Sequence, residues 1–175
     1  MIMTVEQLKN YINPKGKTDE ELKDRLQALE LLIRKYTNNN FQARAYRCTA
    51  NIIDGTFYCS KPIPFKANDT IQISDGQYND GLFTVKAVNL TFLDVNEDVY
   101  DEHVMITKVE YPMDVKIGVA NLVQWDIDNR KKAGIQSETI SRHSVTYSDM
   151  GSDNYLMGYP ASLMGFLKPY KKARF

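Results

Sequence analysis

The hydrophobic spacing of this chain changes period twice, and that double switch limits the folds open to it. Leu22, Leu26, Leu29, Ile33 and Tyr36 recur at intervals of three and four, the signature of one face of a helix. Between Tyr46 and Tyr111 the apolar residues alternate instead, as in Ile71/Ile73 and Phe83/Val85/Ala87. Helical spacing then resumes with Val115, Val119, Leu122 and Val123. Such a sequence predicts an α+β protein in which a β segment is inserted between helical flanks.

Local signals sharpen the boundaries. Thr4 with Gln7, and Thr18 with Glu21, have the spacing of capping boxes, in which each side chain satisfies a backbone N–H at the helix start. Asn13-Pro14-Lys15-Gly16 separates the two helices, and Asn38-Asn39-Asn40 ends the second. Asp54-Gly55 between Tyr46–Ile53 and Thr56–Ser60 predicts a tight hairpin. With strands around Ile71, Val85, Leu90–Val95 and Val104–Val109, the middle reads as a small β-barrel or meander. Pro112 suits the first turn of a third helix that runs to about Lys132, with Gly134 as its stop. Ser137–Thr146 looks extended, and Pro160–Leu167 reads as a short helix stopped by Pro169. The predicted division is a small helical bundle from residues 1–45 and 112–147, an inserted β subdomain at 46–111, and an extended C-terminal arm at 148–175.

Charge follows the same division. Residues 1–45 carry eight basic and six acidic side chains, residues 46–114 five and eleven, and residues 115–175 nine and five. The net values are +2, −6 and +4 in a chain whose total is zero. An acidic centre argues against a phosphate-binding domain, and unequal segments suit complementary contacts between proteins. No apolar run approaches the roughly 20 residues of a membrane span. The first residues lack the basic-then-apolar order of a signal peptide, so a cytoplasmic protein is expected.

Chemistry-bearing motifs are sparse. Cys48 and Cys59, with His103 and His143 distant in sequence, lack zinc-ligand spacing, and the two cysteines are expected as buried thiols. Asp94–Glu102 begins like a calcium loop, with oxygen donors at its first, third and fifth positions. It then has Val99 where Gly belongs and Met105 where Glu belongs, which favours a solvated acidic turn. Phosphate-binding glycine motifs are absent from the sequence. The expectation is a protein without catalytic residues, cofactor or metal, acting through contacts.

Two features suit contacts. Trp125 lies between polar Gln124 and Asp126 and fits either the core or a subunit interface. Near the end, Tyr159, Leu163, Phe166, Leu167 and Tyr170 make an apolar segment with a basic finish that includes Lys171 and Lys172. These seven residues are the expected partner-binding set.

The ending Gly158-Tyr159-Pro160-Ala161-Ser162-Leu163-Met164-Gly165-Phe166-Leu167-Lys168-Pro169-Tyr170 resembles the C-terminus of head–tail connector proteins of tailed bacteriophages and prophages from Gram-positive hosts. Gly134–Ile140 and Ser144–Tyr147 are similar to the stretch after the last long helix of that family. The opening helix, the break, Thr18-Asp19-Glu20-Glu21-Leu22 and a helix ending in an Asn-rich turn are similar too. The likeness covers the flanks and fails across Tyr46–Tyr111, where the simplest members have short links. The resemblance implies a virion-neck adaptor made in the bacterial cytoplasm. It would form a homo-oligomeric, usually dodecameric ring. Its partners would be the portal and a tail-side neck or head-completion protein, with DNA passing through the lumen. The competing readings are an oligonucleotide-binding β-barrel and a host-encoded assembly or regulatory adaptor.

Overall fold

The computed structural model describes residues 1–129, 137–140, 143–146 and 155–173. It confirms an α+β protein and divides it into two compact units. One comprises Met1–Ile2 and Asn39–Tyr111, the other Met3–Asn38 and Pro112–Phe175.

The first unit is a closed antiparallel barrel. Its strands are β1 (Gln42–Ile53), β2 (Thr56–Cys59), β3 (Thr70–Ser74), β4 (Gly81–Asn89), β5 (Phe92–Val95) and β6 (His103–Val109), in the order β1-β2-β5-β4-β3-β6. Alternation explains the closure. Ala50, Ile52, Phe57, Ile71, Ile73, Val85, Leu93, Val104 and Ile106 belong to the core, and most of their neighbours in sequence are more exposed, with Thr70 and Thr107 the buried exceptions. Phe65 and the half-buried Ile63, from the β2–β3 connection, pack against the same core. Asp54 and Gly55 both take positive φ (50° and 79°), as the tight β1–β2 turn requires. Register shifts in β1 between Ala43 and Arg47, and in β4 between Val85 and Ala87, bend the two longest strands.

This unit takes up the chain at Asn39 and its first strand starts at Gln42, earlier than the expected Tyr46. Gln42–Tyr46 carries only small alanines between its polar residues and no large apolar residue before Tyr46 to announce a strand, yet Gln42 and Ala43 pair with Val109 and Lys108. The chain enters and leaves at adjacent points. The Glu110 N–H donates to the Phe41 carbonyl at 2.9 Å, and the Phe41 and Tyr111 rings lie 4.8 Å apart.

The second unit contains α1 (Val5–Lys9), α2 (Asp19–Thr37) and α3 (Met113–Asn129). Both expected capping boxes form, Thr4 with Gln7 and Thr18 with Glu21. Asn38 closes α2 in the left-handed conformation. The stripe Leu22, Leu26, Leu29 and Ile33 is buried, as are Val115, Val119, Leu122 and Val123 of α3. β7 (Ser137–Ile140) pairs with β8 (His143–Thr146), so the extended stretch is a hairpin. A second hairpin joins β9 (Tyr155–Leu156) to β10 (Tyr159–Pro160), with Met157 and Gly158 at positive φ in its turn. A 3-10 helix follows over Ala161–Tyr170, and it contains Pro169. The expected end of the third helix, around Arg130–Gly134, lies outside the described residues.

One expectation is corrected. The C-terminal segment is not an extended arm: its 3-10 helix packs on both α2 and α3. Met164 and Leu167 are almost fully buried. The reason is the apolar content that suggested docking in the first place. α2 and α3 each present a buried stripe, and the terminal helix covers apolar surface that water would otherwise meet.

Candidate functional site

The terminal segment is the candidate contact region, and it is built by reciprocal fits. Tyr159 is buried, and its hydroxyl donates to an Asp126 carboxylate oxygen at 2.8 Å. Arg25 of α2 donates to the same oxygen at 3.1 Å. A largely buried carboxylate thus has both a charged and a neutral donor, the condition under which burying it is tolerable. Trp125 is half-buried and packs against the rings of Tyr159 and Tyr155, at centroid distances of 5.6 and 6.5 Å.

Further along, Phe166 covers Gly118. Tyr170 donates to Asp114, and this bond raises the phenol's pKa. The Lys171 ammonium lies 4.0 Å from the centre of the Tyr36 ring, a cation–π contact. The Lys172 N–H donates to the Thr37 carbonyl at 2.8 Å, and the Asn38 amide donates to the Ala173 carbonyl at 2.8 Å. These two bonds satisfy carbonyls at the end of α2 and of the chain segment itself.

The seven expected contact residues therefore separate. Tyr159 and Leu167 are interior. Leu163, Phe166 and Tyr170 are half-buried, and Lys171 and Lys172 are exposed with Lys168. Trp125 meets aromatic neighbours of its own chain. Sequence reasoning missed a second apolar surface in this unit. Tyr11, Met113 and Ile117 are large and exposed, and Tyr11 and Met113 line a cleft with Met3, Gln7, Asn10 and Lys116. Its residues come from two stretches about a hundred positions apart in sequence, so no local pattern marks it.

In the barrel, the acidic turn is organised around Glu102. Its carboxylate accepts the backbone N–H groups of Gln77 and Asn79 at 2.6 and 2.8 Å, that of Tyr78, and the Asn79 side-chain amide. Desolvation raises the Glu102 pKa, but these donors outweigh it and leave the group below the ordinary glutamate value. Asn79 in turn holds Tyr100, giving its amide to the Tyr100 carbonyl and accepting the Tyr100 N–H. Asp94 accepts the Thr56 hydroxyl, Glu97 the Thr84 N–H, and Asp101 the Asp54 N–H. These carboxylates thus brace neighbouring strands and turns. No group of three or more potential metal ligands occurs among the described residues.

His103 is exposed and shares a 2.7 Å hydrogen bond with Asn51, while the side chain of His143 lies outside the described residues. Cys48 and Cys59 face the barrel core with their sulfurs 3.5 Å apart. No helix among the described residues is long and apolar enough to cross a membrane.

The chain matches no protein-family model and no curated protein.

Proposed function

We propose that this chain is a structural adaptor of the head–tail connector type, assembling as a ring between portal and tail. One observation carries the reading. The segments that resemble the connector family lie in one of the two units, Met3–Asn38 with Pro112–Phe175, apart from the last two residues of the Asn-rich turn. The part that departs from the family is the other unit, a closed barrel with its own core. An insertion into an existing fold has this form, because entry and exit must be close enough to leave the host fold's ends in place. The pairing of Phe41 with Glu110 and Tyr111 meets that condition.

In this reading the helical unit makes the ring and portal contacts. It uses exposed Lys168, Lys171 and Lys172, half-buried Leu163, Phe166 and Tyr170, and the cleft at Tyr11 and Met113. The barrel is an outward appendage that meets capsid or tail. Electron microscopy of the purified protein mixed with its portal tests this. The expected image is a ring seated on the portal. An unaltered portal at saturating protein counts against it.

A second reading takes the barrel as an oligonucleotide binder. Half-exposed Tyr58 and Phe92 on adjacent strands, with centroids 6.1 Å apart, favour it by offering a surface for base stacking. Charge opposes it. The barrel unit has six basic and ten acidic residues, a net of −4. Fluorescence anisotropy with labelled single-stranded DNA at low salt separates the two readings.

A further inference from the structure

We propose that Cys48 and Cys59 form a reversible disulfide site, closed by exchange with a small-molecule disulfide of the glutathione class. The inference concerns the barrel alone and does not depend on the connector reading.

The geometry is built by the β1–β2 hairpin. Ala50 pairs with Cys59, so Cys48, two residues before Ala50, lies diagonally across from Cys59 on the same inward face. Diagonal partners in a flat sheet are usually too far apart to bridge. Strand twist shortens one of the two diagonals, and here the sulfurs already sit at 3.5 Å. Bond formation needs them near 2.05 Å, a closure of roughly 1.5 Å. Cys59 is the last residue of β2, held by its N–H to the Thr91 carbonyl, and a bend and Pro62 follow before the chain is bonded again through the Ile63 N–H to the Leu90 carbonyl. Both thiols are free in this structure.

The two sulfurs are not equivalent, and the difference sets the order of events. Cys48 is half-buried and Cys59 is buried. The hydrogen bond between them lowers the pKa of Cys48 and raises that of Cys59. Cys48 is therefore the accessible thiolate and the attacking group. Its sulfur bonds to one sulfur of the oxidant, and the oxidant's S–S bond breaks and releases one small thiolate. Cys59 then loses its proton, and its sulfur attacks Cys48 and displaces the second small thiolate. The protein gives up two electrons and two protons, and the small disulfide becomes two small thiols. Because closure must draw the end of β2 inward, the bond is strained, and strained disulfides are the reducible ones.

The test is to incubate the folded full-length protein with oxidised glutathione, then measure mass and free thiols after denaturation. Expected is the loss of two hydrogens and of both thiols, with no retained glutathione and no cross-linked dimer. Dithiothreitol should restore the starting mass. Cys59→Ser should stop at a stable glutathione adduct on Cys48, and Cys48→Ser should react at least ten-fold more slowly than the wild type. Two free thiols persisting in the wild-type protein, a stable wild-type adduct, or an intermolecular disulfide would each overturn the proposal. The wild-type measurement alone decides it if either variant fails to fold.

Discussion

The ring of Phe166 lies against Gly118 so closely that a Cβ at position 118 would fall 2.5 Å from it. A glycine in mid-helix costs about 1 kcal/mol against alanine in propensity, and here it gives the terminal helix room to sit on α3. Gly118→Ala should therefore destabilise the helical unit despite its better propensity, by about 1–3 kcal/mol from overpacking. Thermal unfolding read by circular dichroism checks this. The penalty should shrink in a Phe166→Leu background. Strict additivity of the two changes would mean that the rings and backbone do not meet as described.

Truncation after Gly158 should cost the helical unit its fold, since Met164 and Leu167 leave with the terminal helix. Leu167→Ala alone should cost about 2–5 kcal/mol. Chemical denaturation of the point variant gives the number. A truncated protein with an unchanged midpoint would show that the segment is dispensable.

Tyr159→Phe keeps the ring packed on Trp125 but removes the donor to Asp126. Arg25 still reaches that carboxylate, so the loss should be modest, about 1–3 kcal/mol. Removing Arg25 as well should cost more than the two single changes together, because each single variant keeps one of these two donors on the buried carboxylate and the double variant keeps neither. A double-mutant cycle measures this coupling.

Glu102→Gln should loosen the loops at one end of the barrel and flatten its response to acid. The folded pKa of Glu102 lies below the unfolded value. Its stabilisation is thus fully present above the unfolded pKa, roughly 4.3, and is lost as pH falls through the folded one. Hydrogen exchange at Gln77–Asn79, followed between neutral pH and pH 3, should show protection fading in the wild type. In the variant it should be low throughout. Equal protection in both proteins would remove Glu102 from the account.

Replacing residues 42–109 with a short Gly/Ser link should leave the helical unit folded, because Phe41 and Tyr111 lie side by side. Far-ultraviolet circular dichroism of that protein should retain the helical signal of α2 and α3. Its disappearance would mean that the barrel is part of the helical unit's stability.

Much of this fold is local in origin, and that part is visible in the sequence. Thr18 with Glu21, Asp54-Gly55, and the stripe from Leu22 to Ile33 each act through neighbours within a few residues. What the sequence hides is which distant surfaces meet. Leu163, Phe166 and Leu167 read equally well as a docking arm or as the cover of a helix pair. Only the buried stripes of α2 and α3, brought together in three dimensions, decide for the cover. The start of the first strand is hidden for another reason: Gln42 and Ala43 are held by pairing with β6, and the only apolar residues between Gln42 and Tyr46 are two small alanines. The thiol pair is hidden because register, not spacing, puts Cys48 beside Cys59.

The barrel closes on itself through β1 and β6, so none of its six strands has an unpaired flank. A sheet with an open flank, crowded at high local concentration, recruits strands from its neighbours and grows into aggregates. This unit has no such flank to offer. However many copies are packed side by side, they must recognise one another through side chains, which can be selective, rather than through the backbone, which cannot. Among the described residues, only the short hairpins β7–β8 and β9–β10 keep open strand edges. Those two hairpins are where a neighbour's strand can still be added.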